Sequence, residues 1–168
     1  MGIQNTVASL EDLTNAIVSC GNLLVREASR LFKPLKLSPA QFNVLHLLHL
    51  RGDGLRPSDI AQSLVVDPAS MTYLMDTLEK RGWIQRGDDP KDRRVYRILL
   101  TKPGREMHDQ AAKLYHAALA STASRLTGEH DAKAFQKLLT ALPTAAAAAT
   151  EDVLSTAPKP AAKRAKSR

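Results

Sequence analysis

The chain has 168 residues, 43% of them hydrophobic, enough for one domain with its own core and some appendages. Its formal net charge of +7 points to a polyanionic partner, but +5 of it comes from Lys159, Lys163, Arg164, Lys166 and Arg168 alone. No apolar run approaches the roughly 20 residues of a bilayer span, the first residues lack the basic start and apolar stretch of a signal peptide, and a single cysteine, Cys20, excludes an internal disulfide; a reducing cytoplasm is the expected setting.

Leu10, Leu13, Ile17, Cys20, Leu24, Ala28 and Leu31 recur at steps of three and four, an apolar stripe that predicts a long first helix ending near Pro34. Ser38, Pro39 and Gln41 form a start signal for a second helix. That helix, over residues 42–49, is apolar on nearly every side and belongs in the middle of the domain. After the turn at residues 51–54 a short helix is expected over 57–64, with Ile60, Ala61 and Leu64 inward. Past a tight turn and Pro68, Met71, Leu74, Met75 and Leu78 stripe a longer helix whose other side carries Ser70, Thr72, Tyr73, Asp76 and Lys80. Gly82 ends it where a positive φ is wanted.

Residues 83–86 and 95–100 read as the two strands of a hairpin. The loop between them, residues 87–94, is too charged to pack in a core, and its Asp88 and Asp89 are expected on an exposed tip. Thr101 caps the next helix, striped by Met107, Ala111, Leu114, Tyr115 and Ala118 to about Leu126. Gly128 breaks it, and a last helix carries Ala134, Phe135, Leu138, Leu139 and Leu142 before Pro143, which should end or kink it despite the alanines that follow. Beyond Thr156, Ala, Pro and basic residues without hydrophobic period read as a disordered tail, either a solubilising end or a non-specific grip on phosphates.

The order carries the functional signal. Two short helices joined by a tight turn, the second showing small polar groups, form a helix-turn-helix, and the charged hairpin after them a wing. The fold class expected is mainly α with a small β-hairpin: a winged helix-turn-helix lobe over residues 37–100, dimerisation helices over 1–36 and 101–155, and the basic tail over 156–168. Double-stranded DNA is the implied partner. Ser70, Thr72, Tyr73 and Thr77 can meet base edges or phosphates in the major groove, Arg86 and Arg97 can touch backbone from the strands, and Lys91, Arg93 and Arg94 at the wing tip suit the narrow minor groove. Asp92 would repel phosphate unless paired, so it is read as the partner that aims the arginines. Tyr73 is equally readable as a ring over its helix's apolar edge.

The segments SPAQFNVLHLL, PSDIAQSLVVDPASMTYLMDTLEKRGWI and RGDDPKDRRVYRILLTKPG resemble the multiple-antibiotic-resistance regulator (MarR) family of bacterial transcription factors, the acidic Asp-Arg-Arg wing tip most specifically. The resemblance implies a homodimer built by the first and last helices, a pseudo-palindromic operator, repression, and release by a small phenolic or anionic effector or by an oxidant. It also marks a departure, since Tyr73 and Thr77 stand where arginines are usual, which lowers the phosphate contribution.

Cys20 lies on the dimer-facing stripe and could serve as a redox-sensing thiol, but no local activator is evident and a small buried hydrophobe is the favoured reading. His46 and His49, spaced i, i+3, with His108 and His116 could build a zinc site with carboxylates, yet the spacing is generic and no cysteine cluster accompanies it. Partly buried histidines are expected there, or an effector pocket lined by His46 and His49, with no metal and no cofactor. Phosphate loops, nucleophile elbows and His-Glu-x-x-His are missing, so no enzyme is expected. The rival readings are a sequence-indifferent architectural DNA binder using the tail and a winged helix serving as a protein-interaction module.

Overall fold

The computed structural model describes residues 2–64, 66–89, 95–125 and 132–156. Helix α1 spans Gly2–Phe32 and runs into a 3-10 turn, Lys33–Leu35, that closes on Lys36 in the left-handed region. Helix α2, Pro39–Arg51, starts in the expected capping box. The Gln41 N–H donates to Ser38 Oγ at 3.1 Å and the Ser38 N–H to Gln41 Oε1 at 3.0 Å, so two amides that a helix start leaves unpaired are satisfied.

Helices α3, Pro57–Leu64, and α4, Pro68–Lys80, follow as the helix-turn-helix pair. Strands β1, Ile84–Asp88, and β2, Tyr96–Leu100, pair antiparallel with Ile84 opposite Leu100 and Asp88 opposite Tyr96. A single-residue bridge from Leu55 to Ile98 adds a third short rung that sequence periodicity did not indicate. Helix α5, Lys102–Ala123, is capped by Thr101, whose hydroxyl accepts the Gly104 N–H at 3.1 Å and donates to the Gly82 carbonyl at 2.6 Å.

The core gathers Phe32, Phe42, Leu45, Leu48, Ile60, Met71, Leu78, Ile84, Ile98 and Ala111, so every element from the end of α1 to the middle of α5 contributes to it. Helix α2 is central, as its all-round apolarity requires: Val44 and Leu45 are fully buried. Gly82 takes φ +69°, the conformation expected at the end of α4. Helix α6, Ala132–Thr156, belongs to a second compact unit, residues 126–168. It does not end at Pro143, the first of the two outcomes expected there; the alanines beyond supply the helix propensity that carries it on. Gly128, the wing residues Lys91, Asp92, Arg93 and Arg94, and the tail from residue 157 lie outside the described residues.

Candidate nucleic-acid interface

Helix α4 separates its two sides cleanly. Met71, Leu74, Met75 and Leu78 are buried, while Ser70, Thr72 and Tyr73 are exposed, Tyr73 to 77%. A ring that open does not cover an apolar edge. The helix begins at Asp67, which accepts the Ser70 N–H at 2.9 Å; that hydrogen bonding holds the Asp67 carboxyl below its ordinary value. Thr77 is half-buried and its hydroxyl donates back to the Tyr73 carbonyl at 2.8 Å, so it offers less to a ligand than its helical position suggests.

Arg86 on β1 is paired with acids of the same lobe. Its guanidinium lies 3.1 Å from Glu79 and 3.4 Å from Asp76, both on α4, and 5.1 Å from the centre of the Tyr96 ring. These groups are about half exposed, so each pair is worth roughly 0–1 kcal/mol, and contact with DNA requires only a modest exchange of partners. The arrangement ties the wing's first strand to the recognition helix.

One acid of the charged hairpin loop, Asp89, is buried, where an exposed tip was expected. Asp89 is only 2% exposed. Its Oδ2 accepts from Arg56 Nε at 3.1 Å and from Arg97 Nε at 3.0 Å, while Arg97 Nη1 also donates to the carbonyls of Asp53 at 3.2 Å and Gly54 at 3.3 Å. A carboxylate can be buried when two guanidiniums face it, and that compensation is what a reading from charge density alone leaves out. Arg97, expected as a backbone contact or solvated side chain, is instead one of the two groups that lock the wing root to the loop before α3. Asp89 thus holds Arg56 and Arg97, whereas Asp92, expected to aim Arg93 and Arg94, lies outside the described residues.

Of the four histidines expected to be partly buried, His46, His49 and His108 converge between α2 and α5, while His49 and His116 are exposed. His46 Nδ1 lies 3.1 Å from Nε2 of His108, which is 3% exposed, and the His49 ring stacks on the His108 ring at 4.0 Å. Burial, then the neighbouring His108, hold His46 below the ordinary imidazole value. A separate cavity of about 690 Å³ opens between α1, α2 and α5, lined by Leu24, Ala28, Leu31, Phe42, Tyr115 and Leu119 among others. Neither His46 nor His49 lines it, although Phe42, whose ring lies 5.5 Å from that of His46, does. Cys20 is exposed in the single chain rather than buried, since α1 joins the core only from Ala28 onward.

A two-helix reader with a β-hairpin beside it, rooted on a central helix, defines the winged helix-turn-helix class. Residues 37–96 match the MarR family model. Members of that family are transcription regulators, not enzymes. The chain is 34% identical over 84 residues to the HTH-type transcriptional regulator PecS of Dickeya dadantii (strain 3937), a match covering 49% of this chain and 51% of PecS. It is 36% identical over 93 residues to the HTH-type transcriptional repressor MdtR of Bacillus subtilis (strain 168), covering 55% and 59%. It therefore spans little more than half the length of these two relatives. Among solved structures, CouR from Rhodococcus jostii RHA1, crystallised with p-coumaroyl-CoA, superposes with a TM-score of 0.66 at 27% identity over 77% of this chain and 88% of CouR. No described helix is long and apolar enough to cross a membrane.

Proposed function

We propose that the chain acts as a homodimeric transcriptional repressor that binds a pseudo-palindromic operator with α4 and the wing of each protomer and is released by a small-molecule effector. The observation that carries this reading is the outward side of α4, with Ser70, Thr72 and the fully projecting Tyr73, set directly beside a hairpin tethered to it through Arg86. The repressor assignment is supported by the likeness to MdtR. The effector is supported by the cavity between α1, α2 and α5, of a size suited to a drug-like molecule, and by the ligand held in CouR.

Dimerisation is assigned to α1 and α6. Leu10, Val18, Leu23, Leu24 and Val25 are all 47% exposed or more on α1, a stretch of apolar surface that a single chain leaves in water. Two recognition helices about 34 Å apart then match successive major grooves. An effector that prefers another spacing draws the population off DNA in proportion to its differential affinity.

Selection of duplexes from a random pool, followed by gel shifts with the full chain and with residues 156–168 removed, tests the proposal. Enrichment of an inverted repeat bound by both forms supports it. A second reading, an architectural binder gripping through the tail, is favoured by the engagement of Arg86 with carboxylates and the absence of arginine from α4 itself. It requires that random DNA compete equally and that tail removal abolish binding. A protein-interaction module would bind no duplex at physiological salt.

A further inference from the structure

Helices α2 and α5 bring four groups of metal-binding chemistry to one spot at the edge of the core. His46 and His49 lie one turn apart on α2, and His108 and Asp109 are adjacent on α5. One ligand atom each from His49, His108 and Asp109 lies within 4.8 Å of the other two. We propose that His49, His108 and Asp109 bind one divalent transition-metal ion of the zinc type, with His46 as the positioning residue that orients His108.

The donor set selects the ion. Two imidazole nitrogens and a carboxylate oxygen suit zinc, cobalt or nickel, whereas magnesium and calcium want oxygen alone. With metal–ligand bonds of about 2.0–2.2 Å, ligand atoms around a tetrahedral ion stand roughly 3.3 Å apart. The pair His108 Nδ1 to Asp109 Oδ1 is already at 2.9 Å, close to one such edge. The His49 ring stacks on the His108 ring at 4.0 Å, so its nitrogen reaches a shared ion only by turning off that face; His49 and Asp109 are both exposed, which leaves them room to rotate while buried His108 stays fixed.

His46 completes the arrangement. Its Nδ1 is 3.1 Å from His108 Nε2, so His108 can place its proton on Nε2, donate it to His46, and present the bare Nδ1 lone pair to an ion beside His49 and Asp109. A ligating histidine whose other nitrogen is hydrogen-bonded is the usual architecture of such sites. Three protein ligands leave a fourth position for water or an exogenous group. The ion would bridge α2, at the centre of the DNA-reading lobe, to α5.

The full chain, stripped with chelator, is titrated with Co(II) and followed by its ligand-field absorption, then challenged with Zn(II), with bound zinc counted after dialysis. The expected result is one ion per chain. His49→Ala and Asp109→Asn, both exposed positions, should each weaken Zn(II) binding at least about tenfold and alter the Co(II) spectrum while leaving the thermal melt unchanged. His46→Ala should weaken binding by roughly 10–100-fold without changing the Co(II) spectrum, and His46→Gln should restore part of the loss. Absence of stoichiometric uptake, or uptake undiminished in the His49→Ala and Asp109→Asn variants, overturns the proposal. Metal uptake is read without DNA, so its failure leaves the regulatory reading standing, and failure of DNA binding leaves the metal site standing.

Discussion

Asp89 shows how one buried side chain joins two distant parts of the chain. Its carboxylate sits at the root of the wing, facing Arg56 from before α3 and Arg97 from β2. Both guanidiniums retain some access to water, 39% and 21% of their side-chain surface, so truncating the acid leaves cations that can still be hydrated. Asp89→Ala should therefore lower stability by about 1–3 kcal/mol, below the cost of orphaning a fully buried charge, as measured by urea unfolding. Asp67 presents the opposite case, an exposed cap. Because its pKa is depressed in the folded chain, its contribution is in place above the ordinary carboxylate value and is lost as pH falls through the lowered one. Thermal melts of Asp67→Ala should accordingly lie below the parent at neutral pH and converge with it in acid.

Among the elements, α5 packs tightly at Gly104 against Trp83, the residue that leads into β1. A Cβ there would come 1.9 Å from the Trp83 carbonyl oxygen, a backbone atom with nowhere to go. Gly104→Ala should cost about 3 kcal/mol or more, read as a drop in the urea midpoint with little change in slope. The pattern of what the sequence disclosed follows from the range of the forces involved. Local signals, the Ser38 capping box, the α4 stripe, Gly82 and the Thr101 cap, act within a turn or two and were legible as they stand. The Leu55 bridge to Ile98 and the burial of Asp89 depend on partners 43 and 33 residues away, respectively, or nearer only in space, and no periodicity announces them. The histidines were legible as residues on helices, but their convergence required the packing of α2 on α5.

For the molecule as a whole, the exposed apolar residues of α1 and the charge distribution set the expectations. Leu10→Glu combined with Leu24→Glu should yield monomers in sedimentation equilibrium and, with one reading head left per particle, a large loss of operator affinity. The salt dependence should be equally telling. Helix α4 carries no arginine and Arg86 faces two acids, so few phosphates are neutralised by the described lobe. Removing residues 156–168 should flatten the plot of log K against log salt by roughly 0.9 for every phosphate those residues neutralise, while the preferred sequence stays the same.

The tight seat of Gly104 under Trp83 also has a mechanical meaning. Thr101 is bonded to Gly82 and Trp83 on one side and begins α5 on the other, so the helix that walls the cavity through Tyr115 and Leu119 is fastened at its start to the root of the wing. A displacement of α5 would therefore reach the hairpin without an intervening loop to absorb it.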